Sequence, residues 1–105
     1  MDYLILVWVH FFADFVLQSD KMALNKSSKF RYLALHCFVY LIPFLFFGIW
    51  FAIVNGVLHL IVDFVSSRVT TYLWRKEERH WFFVVIGLDQ AIHITCLMLT
   101  IALSR

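Results

Sequence analysis

The stretch HFFADFV, from His10, places an aspartate four residues after a histidine. HLIVDFV, from His59, repeats that arrangement, and DQAIH, from Asp89, reverses it. A spacing of four stacks two side chains one turn apart on the same helical face. His10 with Asp14, His59 with Asp63, and Asp89 with His93 therefore form three polar pairs, and His36 adds a fourth imidazole with Tyr40 on its face. Neutral imidazole nitrogen and ionised carboxylate oxygen are ligands for zinc, iron and manganese. These seven side chains exceed one tetrahedral site. They imply one or two divalent ions, zinc first among them, with any surplus aspartate orienting a ligating histidine. Such an ion lowers the pKa of a bound water and polarises a scissile group, and an uncoordinated Asp14 or Asp89 would then serve as general base.

The elements that must position these residues are apolar. The chain is 105 residues long, 63% hydrophobic and only 15% charged, more apolar than a soluble domain of that size requires. Its charges fall between four stretches that read as helices over about 3–18, 30–47, 51–74 and 81–103, joined by loops at about 19–29 and 75–80. The expected fold is all-α: one integral membrane domain over 1–105, an antiparallel four-helix bundle with both termini outside. The first stretch begins Met1-Asp2 and carries His10 and Asp14, so it is read as a mature helix rather than a cleaved signal. A helical turn at Lys21–Leu24, a cap at Ser27 or Ser28, Pro43 tolerated inside the second helix, a turn at Gly48 and close packing at Gly87 complete the expected path.

Charge placement sets the orientation. Of the nine Lys and Arg residues only Arg105 lies on the far side from the first and third loops. The positive-inside rule makes those loops cytoplasmic and places a multi-pass protein in a bacterial inner membrane. Counting about 1.5 Å per residue from the outer face puts His10 and His59 about 12 Å deep, and Asp14 and Asp63 about 18 Å. His36 falls at about 21 Å, Asp89 at about 16 Å and His93 at about 10 Å, so all seven share one slab near mid-membrane. The basic residues sit where membrane topology wants them and no recognition motif accompanies them, which excludes nucleic acid as a partner. Lys21, Lys26, Lys29 and Arg31 would gather anionic headgroups of membrane lipids.

The two halves also resemble each other. HFFADFV aligns with HLIVDFV and LALHCF with QAIHIT, as if the chain were two helical hairpins related by an axis along the membrane normal. Cys37 and Cys96 read as buried thiols and weak candidates for ligands. His80, beside Arg79, reads as solvated. Metal-free hydrogen bonding between helices is the competing explanation for the buried polar residues.

HFFADFVLQSDKMALNKS, with LH in the second helix, NGVLHLIVDFVSSR in the third and LDQAIH in the fourth, resembles an uncharacterised bacterial and phage family of small membrane proteins of unknown function. The resemblance spans essentially the whole chain; it implies the four-helix membrane fold and supplies no activity. At motif level alone, the paired His-x-x-x-Asp segments are similar to the zinc sites of cation-diffusion-facilitator transporters, and the scattered His and Asp to membrane-bound metal-dependent hydrolases.

Three functions fit these residues. The first is a metal-dependent hydrolase of a lipid or lipid-linked phosphate. The second is translocation of a divalent cation or proton, for which four helices would need to assemble into a homo-oligomer. The third is a metal-stapled structural or partner-binding membrane protein, phage-encoded in one version.

Overall fold

Phe, Leu, Ile and Val interrupted by single polar residues give segments that bury their backbone polarity internally, which in hydrocarbon requires helix. The computed structural model describes residues 2–19, 26 and 28–103. Among them α1 (Asp2–Phe11) runs into a π-helical turn at Phe12–Val16. α2 (Phe30–Leu41) continues as a 3₁₀ segment, Ile42–Phe47, and α3 (Ile49–Arg75) and α4 (Arg79–Leu103) complete an all-α bundle. The expected turn at Lys21–Leu24, the cap at Ser27 and the cation Lys21 lie outside the described residues, as does Arg105.

Three of the four segments are long and apolar enough to cross a membrane: Phe30–Phe47, Ile49–Arg75 and Arg79–Leu103. The apolar stretch of the first, Tyr3–Val16, is shorter. Large hydrophobic side chains are exposed along every helix, including Phe46, Trp50, Trp8 and Leu103, as a lipid-facing surface requires. The chain is built as a membrane protein.

Local chemistry sets the breaks. Pro43 lacks an N–H and crowds the preceding turn, so α2 tightens to 3₁₀ geometry from Ile42 instead of continuing as α-helix. Gly48, at φ +129, then reverses the chain into α3, in a region that a side chain would disfavour. The start of α2 differs from expectation. Lys29 is the N-cap residue and its own side chain makes no capping hydrogen bond, while Ser28 stands one residue before it. Between α3 and α4 the chain closes in a Schellman motif: Glu77 takes φ 59, its N–H donates to Trp74 C=O at 3.1 Å, and Glu78 N–H donates to Leu73 C=O at 2.9 Å.

α3 is the central element, packed on both α2 and α4. Lipid tails are as apolar as the side chains, so close packing and interhelical hydrogen bonds hold the bundle. The close approach is at Gly56, where an added Cβ would meet Leu41 Cδ2 at 3.0 Å and Cβ at 3.2 Å. Gly87, expected to serve that purpose, faces open space among the described residues. Asn55 ties α3 to α4 by donating to Thr100 Oγ1 at 2.9 Å. At the end of the bundle holding the start of α1, Leu6, Phe44, Phe51, Ala52, Leu97 and Ile101 fill the interior. Toward the opposite end, the interior is polar.

Candidate metal centre

The four histidines and three aspartates picked out by spacing all converge on that polar interior, none more than 8% exposed. Each element delivers its share through helical periodicity. α3 is continuous and sets His59 and Asp63 on one face, α2 supplies His36, and α4 supplies Asp89 and His93. Asp14 arrives differently, from the π turn, where Leu17 N–H donates to Phe12 C=O at 3.0 Å. The extra residue in a π turn rotates the side chains that follow it, and such turns recur at functional sites.

Four donor atoms form a compact set. His36 Nε2 lies 3.0 Å from Asp14 Oδ1 and 3.3 Å from Asp63 Oδ2. His59 Nε2 lies 3.5 Å from Asp14 Oδ1 and 3.3 Å from Asp63 Oδ2, and the two Nε2 atoms are 3.0 Å apart. A tetrahedral zinc with bonds of about 2.0–2.1 Å has ligand-to-ligand edges of about 3.3 Å. The five distances scatter around that edge, so Asp14, His36, His59 and Asp63 could hold a metal ion.

A second set, Asp14, Asp89 and His93, adjoins the first. His93 Nε2 is 3.2 Å from Asp89 Oδ2 and 3.3 Å from Asp63 Oδ1. Asp63 therefore turns one oxygen to each set, and Asp14 belongs to both. Asp89 is further fixed by Ser66, whose hydroxyl donates to Oδ1 at 2.6 Å.

His10 stands outside both sets. Its position is decided by Gln90, a residue that spacing did not single out although DQAIH contains it. The Gln90 amide nitrogen donates to Asp89 Oδ2 at 3.1 Å and to Asp14 Oδ2 at 3.3 Å. That orientation turns Gln90 Oε1 to accept from His10 Nε2–H at 2.7 Å. Tyr40, the other neighbour, donates its hydroxyl to His10 Nδ1 at 2.8 Å and stacks on the His59 ring at 3.9 Å. His10 is thus tied at both ring nitrogens, and its repeat counterpart His59 is the one turned toward the carboxylates.

Lys26, expected among surface cations, reaches into the bundle and donates to Asp63 Oδ2 at 3.3 Å. Lys29 and Arg31 remain exposed at the start of α2. Three carboxylates against one ammonium give this buried site an excess of acidic groups, which a divalent cation would offset. Cys37 is buried and Cys96 half-buried; both are free thiols, and neither belongs to either donor set. His80 is exposed.

A cavity of about 270 Å³ reaches the carboxylates, lined by Asp14, Asp63 and Asp89 together with Gln18, Lys26, Ser67 and Thr70, and by Phe15, Phe82 and Ile86 on its apolar side. The apolar core packs the other end of the bundle. The site is approached from the end where the first and third loops lie.

The family described as "Protein of unknown function (DUF3307)" matches residues 3–104, and the chain belongs to it. No curated protein and no solved structure matches the chain.

Proposed function

We propose that this protein is a membrane-embedded, metal-dependent hydrolase of a lipid or lipid-linked phosphate, with zinc held by Asp14, His36, His59 and Asp63. One observation carries this reading. A four-donor set with near-tetrahedral edges adjoins a cavity lined by two of its members, Asp14 and Asp63, while Leu6, Phe44, Phe51 and Leu97 pack the other end of the bundle. Among the described residues the cavity reaches the donors from one side while apolar side chains fill the far end, which favours a site that meets a ligand over a continuous ion pathway or a closed staple. The two-nitrogen, two-oxygen donor set and its short edges favour zinc over larger, oxygen-preferring ions.

A divalent ion there supplies Lewis acidity and a water of lowered pKa. The chain's own residues do the rest. Asp89 lies outside the four-donor set, lines the cavity and is held by Ser66 and Gln90, which suits it to take the proton from an attacking water. Asp14, the other candidate for that role, is committed to the four-donor set. Lys29 and Arg31, exposed at the start of α2, gather anionic lipid at that end of the bundle. The excess of Lys and Arg in the first and third loops favours a bacterial inner-membrane location with those loops cytoplasmic.

The test is phosphate release by zinc-loaded protein in vesicles containing phosphatidic acid or a prenyl phosphate. Wild type should release phosphate. Asp89→Asn should keep its metal and lose turnover by about 100-fold or more. Divalent-ion flux without any phosphate release would instead support translocation. Metal loss and unfolding in every variant, without turnover in wild type, would leave a structural staple.

A further inference from the structure

Two cavities share Ser66 and Asp89 as lining residues. One is the cavity already described. The other is an apolar groove of about 370 Å³ between α3 and α4, walled by Ile61, Val65, Val69, Val85, Leu88 and Ile92. Most of these aliphatic side chains are exposed on the surface that faces the bilayer. Ser66 and Asp89, hydrogen-bonded to each other at 2.6 Å, line both spaces and form the boundary between them, so a molecule that parts this one contact can lie with one end in hydrocarbon surroundings and the other among charges.

The polar side contains groups without partners. Ser67 is only 7% exposed, yet its hydroxyl finds no hydrogen-bond partner among the described residues, and Gln18 Oε1 is likewise unpartnered. An unpaired buried hydroxyl is costly, and a ligand atom that bonded to it would remove that cost. Lys26 stands at the same wall, paired with Asp63 Oδ2. That oxygen is one of the four metal donors. A metal taking it up would release the ammonium toward an incoming anion.

We propose that the substrate is an anionic phospholipid that enters sideways from the bilayer, its chain in the α3–α4 groove and its phosphate against Lys26 and Ser67. Gln18 Oε1 accepts from a hydroxyl of the head, and the head-to-chain linkage lies beside Ser66 and Asp89. This proposal rests on the hydrolase reading and names the substrate's shape and route.

The experiment uses metal-loaded full-length protein in nanodiscs of phosphatidylcholine carrying a trace of phosphatidic acid with a photoreactive group in its chain. Crosslinks are mapped by mass spectrometry, and metal content is measured in the same samples. Labelling should concentrate on the groove residues of α3 and α4, about tenfold above labelling by an equally tagged phosphatidylcholine. Lys26→Gln or Ser67→Ala should reduce that preference to near parity, as loss of a hydrogen bond to a charged group predicts. Val65→Trp should block groove labelling; if it lowers metal content, Leu88→Trp replaces it.

Equal labelling by both lipids would mean ordinary boundary lipid and would overturn the proposal. So would head binding that excess inorganic phosphate abolishes while Val65→Trp leaves it unchanged, since the ligand would then be free phosphate. Specific labelling without phosphate release would leave this lipid site standing and remove the hydrolase. Phosphate release from a soluble ester without groove labelling would do the reverse.

Discussion

His36 Nε2 and His59 Nε2 face one another at 3.0 Å inside the bundle, and both point at the same two carboxylate oxygens. Two imidazole lone pairs directed at one point repel unless a proton or a cation lies between them. Protons on the histidines would bind the carboxylates one hydrogen bond at a time, whereas a divalent ion engages all four atoms together. The two cases differ in their response to pH. Metal must displace protons from both histidines, so its affinity rises with pH. Chelator competition between about pH 6 and about pH 8 should show tighter binding at the higher value. Affinity independent of pH would place the ion elsewhere.

Gln90 should matter nearly as much as a ligand. Its amide sits between His10, Asp14 and Asp89 and fixes the direction of all three. Gln90→Leu keeps the volume and removes the bridge. Metal affinity should fall by about 10–100-fold while helix content by circular dichroism is retained. An unchanged affinity would mean that the carboxylates are oriented without it.

Packing predicts a contrast between two glycines. At Gly56 an added methyl meets Leu41, so Gly56→Ala should lower the thermal midpoint in detergent. Gly87→Ala has room, and alanine is the better helix former by about 1 kcal/mol, so its midpoint should hold or rise. A reversed order would show that α2 and α3 do not approach at Gly56.

Glu77 holds a left-handed conformation that glycine adopts without strain. Glu77→Gly should therefore stabilise the α3–α4 turn by about 0.5–1 kcal/mol, measured by denaturant titration in mixed micelles. A loss of stability of that size would mean that the Glu77 side chain makes contacts outweighing the strain.

Much of this was legible in the sequence because membrane helices leave few choices. Hydrocarbon dictates helix, and a spacing of four fixes which polar residues share a face. That is enough to bring His36, His59, Asp63, Asp89 and His93 to one depth before any packing is known. What was not legible depends on contacts between distant residues. The π turn that carries Asp14 leaves no mark in the alternation of apolar and polar residues, and without it His10 and His59 read as equivalent. Gln90 was quoted inside DQAIH yet passed over, since an amide next to an aspartate carries no spacing signal. Lys26 read as a surface cation because its loop is polar; only the folded chain brings it to Asp63. Gly87 and Gly56 are indistinguishable by composition, and helix crossing alone decides which one is crowded.

The most direct measurement is the metal content of the detergent-purified protein beside His36→Ala and His59→Ala. Wild-type protein should carry about one zinc per chain, held by Asp14, His36, His59 and Asp63, and either variant should lose nearly all of it while remaining helical. Wild-type protein that carries no more zinc than the two variants would contradict that assignment. The seven buried side chains would then be bound to one another by hydrogen bonds and protons alone.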